Sequence, residues 1–146
     1  MFVLDTNVVS ELRKATTGKA DPRVVAWAAS IRPSALFLSV VTLMEIGQGV
    51  LLLERSDARQ GAAIRRWFED QVLPAFDGRV LAIDDRVALR CARLQVPDPR
   101  KERDALIAAT ALVHGMTVVT RDTADFEPTG VPLLNPWEVA AHLLAE

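Results

Sequence analysis

The chain has 146 residues, a formal net charge of −2 and one cysteine, Cys91. This length is typical of one domain, 1–146, and half of the residues are hydrophobic, which excludes a disordered chain. The single cysteine excludes an internal disulfide and is compatible with a reducing, cytoplasmic location. Glu45 interrupts the most apolar stretch, 34–53, and the chain does not open with signal-peptide features, so we expect no membrane segment.

Short apolar runs alternate with longer segments of helical period. The predicted strands are 2–4, 35–39, 79–83, 116–120 and 131–134. The predicted helices are 6–14, 21–30, 42–54, 57–76, 84–96, 102–115 and 136–146. Asp21 followed by Pro22 is a typical helix start, and Gly115 is a typical helix end. Because the strands are apolar throughout and separated by helices, they predict a parallel sheet of four to five strands, covered on both faces.

Four acidic residues, far apart in sequence, fall at one edge of this predicted sheet. Asp5 directly follows the first strand, and Glu45 lies early in the helix after the second strand. Asp104 opens the helix 102–115, and Asp122 follows the fourth strand. Sites in open α/β sheets form beyond the carboxyl ends of the strands, so these positions are candidates for a shared site.

Each acid also has a purely structural interpretation. Asp5 is a good N-cap, and Asp104 complements the positive end of a helix dipole. Glu45 follows Thr42 by three residues, which matches a capping box. Asp122 lies in a stretch rich in turn-forming residues. Taken singly, none of the four establishes a functional site.

Taken together, the four acids indicate a metal site. Like-charged carboxylates in one partly buried cleft repel each other, and bound divalent cations remove that repulsion. Carboxylate oxygens favour Mg²⁺ or Mn²⁺, and the sequence offers no cluster of cysteine and histidine that would favour zinc. Thr6, Asn7 and Thr120 lie beside the acids and have side chains suited to orienting them, although turn and cap chemistry explains them nearly as well.

Four blocks of sequence resemble the PIN-domain ribonucleases, and among them the VapC-type toxins of toxin–antitoxin pairs, especially the FitB-like branch. The blocks are VLDTNVVSEL, SVVTLMEIGQGV, RDALIAATALVHGMTVVTRD and DFEPTGVPLLNPW. Their order and spacing extend over essentially the whole chain. The resemblance implies a three-layer α/β/α fold, a metal-dependent endoribonuclease activity and inhibition by a small cognate antitoxin.

The resemblance also implies roles for individual residues. Asp5, Glu45, Asp104 and Asp122 correspond to the catalytic, metal-binding acids of the family, with one or two Mg²⁺ or Mn²⁺ ions that activate water to hydrolyse an RNA phosphodiester bond. Asp125 is a further candidate that shares or exchanges its role with Asp122.

Basic residues and apolar helices predict the partners. Arg121, Arg103 and Lys101 lie next to the acids and are candidates for contacts with RNA phosphates. Further candidates are Arg100 and, after the first helix, Arg13, Lys14 and Lys19, although for any one of these cations a solvated surface position explains it as well. The helix 42–54 and the segment 57–72 carry more apolar surface than one small sheet covers. We therefore expect a homodimer interface or an antitoxin groove on these helices.

Two alternatives remain open at this point. One is a non-catalytic PIN-like module that binds only RNA or protein, although none of the four acids is missing. The other is a Mg²⁺-dependent phosphatase with Asp5 as nucleophile. Phosphatases of the haloacid dehalogenase type need a second aspartate two residues after the nucleophile, and this chain has Asn7 there.

Overall fold

The computed structural model describes residues 1–139 and has a central sheet of five parallel strands in the order β3-β2-β1-β4-β5. The strands are β1 (Phe2–Leu4), β2 (Leu36–Ser39), β3 (Val80–Leu81), β4 (Thr117–Val119) and β5 (Leu133–Leu134). All five predicted strands are therefore present, and the predicted parallel sheet is confirmed.

Helices connect the strands and cover the sheet. They are α1 (Thr6–Arg13), α2 (Pro22–Ser30), α3 (Val40–Ser56), α4 (Ala58–Trp67), α5 (Leu73–Ala75), α6 (Asp85–Leu94), α7 (Glu102–His114) and α8 (Thr123–Phe126). Short 3₁₀ segments add Lys14–Thr17, Pro33–Ala35 and Glu127–Thr129. Residues 136–139 form a turn and a bend, and the rest of the predicted helix 136–146 lies outside the described residues.

The start and end signals read from the sequence act as expected. The Asp21 carboxylate accepts a hydrogen bond from the backbone N–H of Arg23 (2.8 Å) and caps α2. Gly115 ends α7 in the left-handed conformation, with a φ of 67° that a residue with a side chain rarely adopts.

Two helical predictions were wrong in detail. Helix α3 begins at Val40, not at 42, because the Ser39 hydroxyl accepts a hydrogen bond from the backbone N–H of Val41 (3.0 Å). Glu45 therefore lies in the second turn, and its interpretation as a capping-box residue is incorrect. The predicted helix 57–76 is interrupted by a π-helical turn at Phe68–Val72, ahead of Pro74, which has no N–H to donate to the preceding turn.

Successive residues of the central strands point to opposite faces, and each face has its own core. Val3 and Val118 pack with Ile107 of α7 on one side, whereas Leu4 and Val119 belong to a second core on the other side. These four strand residues are fully buried. The three-layer α/β/α arrangement is thus confirmed, and the central strands β1 and β4 are rigidly held where they end.

No helix in the described part of the chain is long and apolar enough to cross a membrane.

Candidate active site

A cleft of about 490 Å³ opens at the carboxyl ends of the central strands. The four acids selected from the sequence all line it, although they come from four different segments of the chain: Asp5, Glu45, Asp104 and Asp122. The structure therefore brings together the acids that the sequence placed at one edge of the sheet. We call this feature the acidic cleft.

Asp5 lies deepest among these acids, since only 7 % of the residue is exposed. It follows β1 and caps α1, accepting a hydrogen bond from the backbone N–H of Thr6 (2.8 Å). Burial raises the pKa of its carboxyl to about 6. Hydrogen bonds from Thr120 and Thr6 oppose this rise, and the nearby charges of Asp104 and Glu45 add to it. Asp5 is thus both an N-cap, as its structural interpretation held, and a member of the cleft.

Thr120 links the ends of the two central strands. Its fully buried hydroxyl donates to Asp5 Oδ2 (2.8 Å) and accepts from the backbone N–H of Asp122 (3.0 Å). The side-chain amide of Asn7 donates to Asp122 Oδ2 (3.2 Å) and approaches Thr120 Oγ1 (3.4 Å). One network of neutral polar groups therefore fixes the directions of Asp5 and Asp122.

Glu45 is oriented by α1 and α7. The Thr6 hydroxyl donates to Glu45 Oε1 (2.8 Å), and the Arg103 guanidinium lies 3.6 Å from Glu45 Oε2. Arg103 also donates to the Gln48 side chain (3.3 Å). Arg103, one of the proposed phosphate contacts, is exposed and is not among the residues that line the cleft, but it is held beside Glu45.

Asp104 and Asp125 lie on adjoining surfaces. Burial raises the pKa of the Asp104 carboxyl, and the charge of Asp125 adds to the rise. Asp125 does not line the acidic cleft; it shares a neighbouring depression with Asp104 and Lys101. The Lys101 ammonium lies 3.9 Å from Asp125 Oδ2. Of the two acids whose roles were left open, Asp122 is the one inside the cleft.

The sequence interpretation missed two residues of the far wall of the cleft, Ser10 and Glu11. They line it together with Asn7 and Lys14. Glu11 is buried, with 9 % of the residue exposed, and its carboxylate lies 3.4 Å from the Lys14 ammonium. Asn7, Glu11 and Lys14 are spaced four and then three residues apart, which places them on one face of a helix. That spacing was the available signal.

Arg121 and Trp137 form the remaining wall of the acidic cleft. The guanidinium carbon of Arg121 lies 5.2 Å from the centroid of the Trp137 ring, a cation–π arrangement. Trp137 itself is buried and belongs to the core. Trp137 thus holds the Arg121 guanidinium in the lining of the cleft, which it shares with the four acids.

The donor atoms of the cleft are of the chemical type that a hard divalent cation binds. They are carboxylates with hydroxyl and amide neighbours, and the buried, like-charged surroundings of Asp5 favour a bound cation. Within residues 1–139, however, no three acidic, histidine or cysteine side chains converge closely enough to form a finished metal site.

Comparison with known proteins gives consistent matches along the chain. The model of the family described as PIN domain matches residues 2–130. The VapC ribonuclease Y4jK of Sinorhizobium fredii is 39 % identical over 96 % of this chain and 100 % of its own length. Toxin FitB of Neisseria gonorrhoeae is 37 % identical over 94 % of this chain and 99 % of its own length. The crystal structure of FitAcB from Neisseria gonorrhoeae superposes with a TM-score of 0.86 at 35 % identity, covering 95 % of this chain and 100 % of that one.

Proposed function

Because the chain belongs to the PIN domain family, we propose that it is an endoribonuclease and the toxin of a toxin–antitoxin pair. The observation that carries this proposal is the convergence of Asp5, Glu45, Asp104 and Asp122 in one cleft at the ends of the strands. Similarity to proteins named ribonuclease and toxin, over nearly their full lengths, supports it. The same matches support one functional domain over 1–146.

We infer that these four acids hold one or two Mg²⁺ or Mn²⁺ ions. When bound, such ions supply the charge that activates water and stabilises the leaving oxygen in phosphodiester hydrolysis. The residues around the acids set their positions beforehand: Thr120 and Thr6 direct Asp5, Asn7 directs Asp122, and Thr6 directs Glu45. A preset arrangement lowers the reorganisation that binding requires.

Basic residues around the cleft are proposed to hold the RNA backbone. Arg121 has the strongest case because it lines the cleft itself and is braced by Trp137. The case for Arg103 is weaker because its guanidinium already forms an ion pair with Glu45. The case for Lys101 is also weaker, since it pairs with Asp125 outside the cleft. Contacts of this kind give affinity that is independent of RNA sequence.

We also propose that the protein binds a small antitoxin and forms a homodimer in the cytoplasm, where its RNA substrate lies. Support comes from the exposed apolar side chains of α3: Met44 is 50 % exposed and Leu51 and Leu52 are each 59 % exposed. Such a patch is typical of a protein interface. Sedimentation of the purified protein, with and without the antitoxin, tests this part, and a monomer in both cases contradicts the dimer.

Cleavage of a mixed RNA pool tests the proposed activity. Wild type is expected to cut with Mg²⁺ or Mn²⁺ and to stop with EDTA. Asp5→Asn keeps an oxygen that caps α1 but removes the charge, so the cleavage rate should fall by at least about 100-fold.

Asp84→Asn is the matched control. Asp84 is also an N-cap aspartate, accepting from the backbone N–H of Val87 (2.9 Å), but it lies on α6 outside the cleft. It should retain wild-type cleavage. A folded wild type that binds no metal and never cuts would instead favour the non-catalytic binding module.

A further inference from the structure

A second depression, of about 420 Å³, lies next to the acidic cleft at the end of α1. Arg13, Lys14 and Lys19 line it on one side, and Trp67 and Gln71 of the facing helical segment line it on the other. None of its lining residues is acidic. We call it the basic depression, and its charge is opposite to that of the neighbouring cleft.

Lys14 joins the two depressions, since it lines both. The buried carboxylate of Glu11 lies 3.4 Å from its ammonium and holds it at the boundary. The 3₁₀ turn that follows is tied back by Thr17, whose hydroxyl donates to the Lys14 carbonyl oxygen (3.0 Å). The acidic cleft and the basic depression therefore adjoin at Lys14.

The other two cations of the basic depression, like most of the 17 lysines and arginines of the chain, have no ion pair within the described residues and are available to a ligand. Within residues 1–139, no carboxylate lies within ion-pair distance of Arg13 or Lys19. By contrast, six other cations do have such a partner: Lys14, Arg23, Arg65, Arg86, Lys101 and Arg103. The guanidinium carbon of Arg13 lies 5.9 Å from the centroid of the Trp67 ring, which orients it.

Charge explains why a nuclease needs such a surface. The acids of the cleft repel a polyanion, and any bound cations act mainly on the phosphate being cut. Affinity for the rest of the strand must come from cations away from the acids, through release of counterions from the RNA. An aromatic ring beside these cations is typical of surfaces that follow a single strand.

We propose that the basic depression binds the backbone phosphates of single-stranded RNA on one side of the cleavage position, through Arg13 and Lys19. The strand reaches it from the acidic cleft over Lys14. This inference rests on the proposed ribonuclease function, because it takes RNA as the substrate of the cleft, and it assigns the path of that substrate.

Binding without cleavage tests the path. A labelled oligouridylate of about 12 nucleotides is titrated with protein in EDTA, by fluorescence anisotropy, over a range of salt concentrations. In the double variant Arg13→Gln/Lys19→Gln we expect about tenfold weaker binding at low salt. The slope of log affinity against log salt should become shallower by about 1.4, the value for two phosphate contacts on a single strand.

Arg55→Gln/Arg93→Gln is the matched control. Both arginines are exposed, lie in the last turn of a helix as Arg13 does, and line neither depression. This variant loses the same charge and should keep the wild-type slope. Thermal unfolding checks that both double variants are folded.

Three outcomes overturn the proposal: an unchanged slope in Arg13→Gln/Lys19→Gln, an equal loss in the control, or RNA binding by wild type that does not depend on salt. The first includes the case in which the depression serves a protein partner. Failure of the proposed function is distinct, since it appears as a wild type that binds the oligonucleotide but cuts no RNA with metal present.

Discussion

The acidic cleft and the ion-pair cluster between α3 and α4 both gather carboxylates, but they neutralise them differently. In the cluster, Glu54 accepts two hydrogen bonds from the Arg65 guanidinium (2.7 and 2.6 Å), and Arg65 also donates to Glu69 (2.9 Å). The arginine lowers the pKa of Glu54. In the cleft, the donors that Asp5 meets among residues 1–139 are the neutral groups of Thr6 and Thr120, and its pKa rises to about 6.

This difference separates a structural use of charge from a functional one. A carboxylate that is paired with arginine is satisfied by the protein itself. A buried carboxylate surrounded by other carboxylates is unfavourable until a cation arrives, and proteins keep such groups where they act. The comparison therefore supports the acidic cleft as the place where metal and substrate bind.

The largest expected effect distinguishes Asp122 from Asp125. Asp122 lines the cleft and is held by Asn7, whereas Asp125 lies in the neighbouring depression beside Lys101. Asp122→Ala should lower the RNA cleavage rate by at least about 100-fold, and Asp125→Ala by less than about tenfold. Equal losses, measured at saturating Mn²⁺, would show that the two acids share one role.

The pH dependence of stability probes the unpaired charge of Asp5. Because its pKa is raised on folding, the folded chain holds the proton more tightly than the unfolded chain. The resulting stability is fully present below pH 3.8 and is lost as pH rises through about 6. The difference between the ordinary pKa of 3.8 and the folded-state pKa of about 6 corresponds to about 3 kcal/mol in the free energy of unfolding for this largely buried carboxyl.

Urea unfolding in EDTA measures this loss. The difference in stability between wild type and Asp5→Asn isolates Asp5 from the other titrating groups. Wild type should lose stability relative to the variant between about pH 4 and 6, and Mn²⁺ at neutral pH should restore more stability to wild type than to Asp5→Asn. Parallel pH curves for the two proteins in EDTA would contradict the buried, unpaired state of Asp5.

A smaller effect is expected in the ion-pair cluster, where Gly61 lets α4 approach α3. A Cβ at Gly61 would lie 2.5 Å from Glu54 Cα and 2.8 Å from its backbone nitrogen. Gly61→Ala should therefore destabilise the fold by about 1–3 kcal/mol in chemical unfolding. Gly49→Ala, in α3 with no atom within 4 Å of the added Cβ, should instead stabilise it by about 0.5–1 kcal/mol. Similar changes in stability for Gly61→Ala and Gly49→Ala would show that α3 and α4 leave room for a Cβ at Gly61.

Much of the fold was predictable because its signals are local. Asp21 caps α2, Gly115 ends α7, and the fully apolar runs form a parallel sheet. The family resemblance seen in four blocks is confirmed by the match over residues 2–130. The start of α3 was misplaced because Ser39 is both the last residue of β2 and the N-cap of the helix. The sequence pattern alone favoured Thr42 as the N-cap, because Glu45 follows it by three residues.

The acids of the site were predictable, as were the polar side chains of Thr6, Asn7 and Thr120 beside them, but Glu11 in the far wall was not. Sites in open α/β sheets lie beyond the carboxyl ends of the strands, and this rule alone predicted that the four acids share one edge of the sheet. Glu11 was missed because an acid and a lysine three residues apart on a helix, as Glu11 and Lys14 are, usually form a solvated pair. Only the packing of α1 shows that Glu11 is buried.

The position of β1 at the middle of the sheet has a consequence for the newborn chain. This strand precedes the other four in the chain, yet Leu4 pairs with Val119, and the hydroxyl that directs Asp5 belongs to Thr120. Domains assemble from the N-terminus as translation proceeds, so Asp5 lacks this hydrogen bond until β4 and Thr120 have been synthesised. The cleft therefore cannot form while only the first half of these residues has left the ribosome.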